Sequence, residues 1–76
     1  MKLTLLSRPQ CHLCQEAASL LRRLRIGFDT VDVDSDNELR RRFGDAIPVI
    51  LAGEFEVARA PIDDASLREK LGLKTR

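Results

Sequence analysis

Seventy-six residues with a formal net charge of +1 make one small domain spanning 1–76 and exclude a dedicated nucleic-acid binder, which carries a strong basic excess. With three Phe, no Trp and no Tyr, the core must be built of Leu, Ile, Val and Ala. The apolar run after Met1-Lys2 is shorter than a signal-peptide core, no stretch approaches membrane-spanning length and no lipidation motif is visible, so a soluble cytoplasmic protein with no membrane contact is expected. In that reducing setting a purely structural disulfide is disfavoured, and two cysteines three residues apart need another explanation.

Leu3 to Leu6, closed by Ser7-Arg8-Pro9, predicts a short buried strand. From His12 onward, Leu13, Ala17, Leu20, Leu21 and Leu24 share one helical face. Arg22, Arg23 and Arg25 suit that helix's last turn, and Gly27 is expected to supply its stop. Behind Phe28, Val31 and Val33 alternate with Asp32 and Asp34, as in a second strand. Ser35-Asp36-Asn37-Glu38 fits a capping box in which Ser35 opens a short helix, with Leu39 and Phe43 inward, Arg40-Arg41-Arg42 wet and Gly44 as the stop. Pro48-Val49-Ile50-Leu51 is continuously apolar, as in a central strand. Gly53-Glu54 suits a two-residue hairpin turn. Phe55 and Val57 alternate with Glu56 in the strand that follows, which leaves one wet face. Asp63 or Asp64 caps a last helix carrying Leu67 and Leu71, which stops at Gly72.

This order is a right-handed βαβ unit followed by a ββα unit, with helices on both faces of one mixed sheet.

Cys11-His12-Leu13-Cys14 falls where the first strand gives way to the first helix. Unpaired N–H groups and the positive dipole end stabilise a thiolate at Cys11 there. Cys14 lies one turn on and deeper. Closing so small a ring removes only about 1.9 kcal/mol of chain entropy, which suits a bridge that opens and closes rather than a staple. A zinc site would need a second pair of ligands, and His12 is the only histidine. Two idle buried thiols are the other plain alternative. His12 either lowers the Cys11 pKa when protonated or is a solvated first-turn residue. Arg8 either adds positive potential or holds an anionic substrate group, or is a simple surface arginine. Pro48 opens its strand, where proline is tolerated, and an X–Pro bond is trans by default.

The pattern resembles the glutaredoxin branch of the thioredoxin superfamily, and more closely the short bacterial glutaredoxin-like proteins. The similarity covers nearly the whole chain and is carried by Arg8-Pro9-Gln10-Cys11-His12-Leu13-Cys14, by Ile47-Pro48-Val49 and by Ile62-Asp63-Asp64. It implies a thioredoxin-like βαβαββα fold: a four-stranded mixed sheet flanked by three helices. It implies Cys11 as nucleophile and Cys14 as resolving thiol. Pro48 would be cis and face the dithiol, and Ile47 would pair through its backbone with an extended substrate. Arg8 matches the basic residue before the motif, and Asp63 and Asp64 match the acidic helix start that grips a γ-glutamyl end. Two departures stand out. His12 and Leu13 replace the usual Pro and aromatic, and Ala58-Arg59-Ala60-Pro61 replaces the usual glycine pair.

The reading is a thiol–disulfide oxidoreductase acting as a monomer on a disulfide-containing protein or a glutathione mixed disulfide. No resident cofactor or metal is expected, and glutathione is the candidate co-substrate. The alternative is a glutathione or iron–sulfur carrier, or a partner-binding module, on the same fold.

Overall fold

The computed structural model describes residues 2–72. The elements follow the expected order: β1 (Leu3–Ser7), α1 (His12–Arg23), β2 (Phe28–Asp32), a 3-10 turn (Val33–Ser35), α2 (Asn37–Phe43), β3 (Val49–Ala52), β4 (Phe55–Arg59) and α3 (Asp64–Leu71). The four-stranded sheet runs β2-β1-β3-β4, with β1 parallel to β2 and antiparallel to β3, and β3 antiparallel to β4. It is a thioredoxin-type fold.

Strand alternation divides the core in two. Leu3, Leu5 and Ile50 pack with Ala17, Leu20 and Leu21 of α1 and Leu67 of α3. Leu6, Val49 and Leu51 point the other way and pack with Val33 and with Phe43 of α2. Helices therefore cover both faces, α1 with α3 and α2 opposite, because β1 and β3 are apolar at both parities.

Four local expectations are corrected. First, α1 is not stopped by Gly27. Leu24 is its cap and Arg25 takes the left-handed conformation (φ +60°). Arg25 N–H donates to the Arg22 carbonyl and Ile26 N–H to that of Leu21, the paired bonds of a Schellman motif. Ile26 packs against the cluster holding Leu21, and a left-handed residue two places later would not bring it there. Second, β2 ends at Asp32. Val33 is still fully buried, but from the 3-10 turn, where Asp32 accepts from Asp34 N–H at 2.9 Å. Third, Asp36 and not Ser35 caps α2, accepting from Glu38 N–H at 2.7 Å and Leu39 N–H at 3.2 Å. Ser35 instead donates its hydroxyl to the Asp32 carbonyl at 2.7 Å. Asp36→Ala should cost about 1 kcal/mol in chemical denaturation, and a loss below a few tenths would show the cap idle.

The fourth correction concerns β4. Gly53 (φ +63°) and Glu54 form the two-residue turn, flanked by the pair Ala52 and Phe55. Ile50 then pairs with Ala58 and Leu51 with Glu56, so Val57 is an extra residue in a bulge. Two consecutive residues, Val57 and Ala58, consequently pack on the α1 side. Phe55, expected to face inward, joins neither cluster and is 80% exposed at the hairpin tip.

Among the described residues no helix is long and apolar enough to cross a membrane.

Candidate functional site

The turn from β1 to α1 carries the cysteines. Cys11 N–H donates to the Arg8 carbonyl at 3.2 Å, closing a turn with Pro9 and Gln10 in its centre. Proline suits the first central position, and Gln10 takes the left-handed conformation (φ +64°) that a type II turn requires at the second. Cys11 is thereby delivered as the N-cap of α1, in extended backbone conformation. Its sulfur accepts from Cys14 N–H at 3.2 Å, as a capping oxygen would.

Cys11 and Cys14 are joined in a disulfide with Cα atoms 5.2 Å apart, inside the usual range. Their environments differ. Cys11 is half-buried, whereas Cys14 is only 3% exposed.

Both cations expected beside the thiol are paired with carboxylates. Arg8 donates through Nε to Asp34 Oδ2 at 2.7 Å and through Nη2 to Oδ1 at 3.0 Å. This hydrogen-bonded pair lowers the Asp34 pKa and raises that of Arg8. His12 sits on the solvent side of α1 with Nε2 2.8 Å from Glu16, one turn on. Fixed N–H dipoles at the helix start are therefore the least compensated positive field at Cys11. Sequence reasoning missed Asp34 and Glu16. The i,i+4 spacing of His12 and Glu16 was available as a signal. For Arg8 and Asp34, 26 residues apart, no local signal exists.

Two grooves open at the first turns of α1, one of them lined by the dithiol. One, of about 240 Å³, is lined by Arg8, Gln10, Cys11, Cys14, Arg22 and Thr30, among others. The other, of about 120 Å³, is bounded by Leu13, Glu16, Pro48, Ala60, Pro61 and Ile62. Leu13 was expected on the buried face of α1. It is 54% exposed and lines this groove, whereas its neighbour Cys14 is buried.

Pro48 is buried immediately before β3, and the Ile47–Pro48 bond is cis. Ala60–Pro61, across the same groove, is also cis, which the sequence reading did not anticipate. The Ile47 side chain packs on the α2-side cluster, while its N–H and C=O have no hydrogen-bond partner among the described residues. Ala46 N–H is bound to the Phe43 carbonyl at 2.8 Å. Asp63 caps α3, accepting from Ser66 N–H at 2.7 Å, and Asp64 pairs with Arg68. Both acids thus have local partners, one and two positions beyond Ile62 of the groove. Among the described residues no group of three or more His, Cys, Asp or Glu is placed to hold a metal ion.

Residues 2–72 match the family model described as glutaredoxin-like domain (DUF836). The chain belongs to the glutaredoxin-like domain family. A solved structure of a structural-genomics target protein from X. campestris is similar to this glutaredoxin-like chain with a TM-score of 0.82 and 35% identity, over 92% of this chain and 95% of that one. The glutaredoxin from Brucella melitensis superposes with a TM-score of 0.69 and 27% identity, over 95% of this chain and 82% of that one. The SPbeta prophage-derived thioredoxin-like protein YosR of Bacillus subtilis is 39% identical over 44 residues, 58% of this chain, and the match spans 55% of that protein, about half its length.

Proposed function

We propose that this glutaredoxin-like chain is a thiol–disulfide oxidoreductase that cycles between a Cys11/Cys14 dithiol and the Cys11–Cys14 disulfide. The observation that carries this reading is the bridge itself, closed across the first turn of α1 with Cys11 half-buried and Cys14 buried. In the reductive direction the Cys11 thiolate attacks one sulfur of a substrate disulfide, and the substrate's other sulfur leaves as a thiolate. The Cys14 thiolate then attacks Cys11, releasing the second substrate thiol and closing the bridge. Two electrons pass to the substrate. An external thiol reductant, with glutathione as the candidate, returns them.

The unpaired backbone of Ile47 is suited to an extended, cysteine-bearing segment that adds like a strand. The groove of Leu13, Pro48 and Pro61 would take an apolar neighbour of that cysteine. The site so read acts as a monomer, without a resident cofactor, in a reducing compartment such as the cytoplasm.

Reduced chain given mild oxidant should lose about two hydrogens per chain, seen by intact mass, with no dimer. It should also reduce a small disulfide when supplied with glutathione or a dithiol. Two thiols still alkylatable after oxidation would sink the reading. Visible absorbance in freshly purified protein would favour the cluster carrier instead.

A further inference from the structure

The Arg8–Asp34 pair joins the turn that delivers Cys11 to the 3-10 turn after β2. The guanidinium donates through Nε and Nη2 to the two carboxylate oxygens, at 2.7 and 3.0 Å. Bidentate pairing of this kind fixes orientation as well as charge. The same arginine accepts the Cys11 N–H on its carbonyl and lines the groove that holds Cys11 and Cys14. The Cys11 sulfur nevertheless takes its hydrogen bond from Cys14 N–H, with none from Arg8.

We propose, building on the dithiol reading, that Asp34 is a positioning residue: it commits the Arg8 guanidinium to a carboxylate, keeps it off the Cys11 sulfur and so restrains the thiolate population of Cys11. Other charges act on the pair. Asp32 and Asp45 add negative potential at Arg8, and Arg40 adds positive potential at Asp34. On α1, His12 is held by Glu16, which leaves Arg22, stacked on the Phe28 ring at 5.8 Å, as the other cation of the groove. Cys11 reactivity is thus set by the helix start, with Arg8 held in reserve.

The test uses the full chain carrying Cys14→Ser, so that a single thiol titrates. Thiolate absorbance is followed against pH, and the rate of alkylation by iodoacetamide is measured below the midpoint. Asp34→Asn removes a negative charge and frees Arg8, and both changes favour the thiolate. Alkylation should rise about two- to fivefold, the effect one unit charge has at roughly 4–10 Å in water-like surroundings, and the midpoint should fall in step. Asp34→Glu, which keeps the carboxylate, should stay at the parent value. Arg8→Met alone should slow alkylation, because Asp34 is then uncompensated. Adding Arg8→Met to Asp34→Asn should cancel the gain.

An unchanged or raised midpoint in Asp34→Asn overturns the proposal. An Asp34→Asn, Arg8→Met chain that alkylates as fast as Asp34→Asn alone also overturns it, since Arg8 would then contribute nothing and the carboxylate would be acting by itself. If Asp34→Asn does not fold, the sign of the Arg8→Met effect decides, and faster alkylation there counts against. These readouts need no substrate turnover. A chain that shows the shifts but reduces no disulfide would refute the dithiol enzyme and leave the role of Asp34 standing.

Discussion

A Cys11→Ser chain is expected to reduce disulfides only at the uncatalysed background rate, whereas Cys14→Ser stalls one step later as a covalent mixed disulfide. The asymmetry follows from burial. Exchange requires the attacking sulfur to line up with the target disulfide, and only the half-buried Cys11 is open to an incoming substrate. Cys14, at 3% exposure, is reached by the Cys11 sulfur one turn away but not by a bulky substrate. Serine in place of Cys11 leaves no sulfur to attack. Serine in place of Cys14 leaves the first step intact and removes the group that resolves its product. Intact mass after incubation with a substrate disulfide should show an adduct in Cys14→Ser and none in Cys11→Ser. Turnover surviving in Cys11→Ser, or an adduct carried by Cys14, would refute this division of roles.

The largest expected loss of stability is at Leu67. It is the one fully buried side chain of α3, 0% exposed, and it packs with Leu5, Leu20, Leu21 and Ile50. Ile62 and Leu71, on either side of it, are only partly buried, so α3 has no second anchor of equal depth. Leu67→Ala should cost about 2–5 kcal/mol, the transfer and cavity terms together. Against a total of about 5–15 kcal/mol that is a large share. A domain of this size should lose roughly 4–8 °C of Tm for each kcal/mol. Phe55→Ser is the control: an 80% exposed aromatic outside both clusters should change stability by no more than about 0.5 kcal/mol. A Leu67→Ala loss below about 1 kcal/mol would mean that α3 is held by something other than its apolar anchor.

The departures from local pattern have separate physical origins. Gly27 was expected to stop α1 because glycine adopts the left-handed conformation most readily. Arg25 adopts it instead, since only that position lets Ile26 fold back onto the Leu21 cluster. Ser35 and Asp36 are both good caps and sit side by side. The choice between them was made by the 3-10 turn, which uses the Ser35 hydroxyl. Strict alternation places Phe55 inward, but alternation says nothing of where the covering helices end, and a bulge at Val57 breaks its phase. Leu13 lies on the apolar side of an ideal helix, yet it is 54% exposed on the groove that Pro48 and Pro61 share.

Sequence alone determined the order of elements, the four-stranded sheet with three helices, and the place of Cys11 and Cys14 at a helix start. These depend on interactions within about one turn or one strand: apolar period, caps, turn residues and the Pro9 that leads into the motif. Tertiary structure decided what surrounds the sulfurs. Asp34 meets Arg8 only because β2 lies parallel beside β1 and brings the end of one strand next to the end of the other. Leu13, Pro48 and Pro61 share a groove only because β3 and β4 carry their prolines to the start of α1. Contacts between residues 26 or more apart depend on how strands pair and which helix covers which face, and no local period encodes that. The cations beside Cys11 were therefore legible in the sequence, and the carboxylate that holds Arg8 was not.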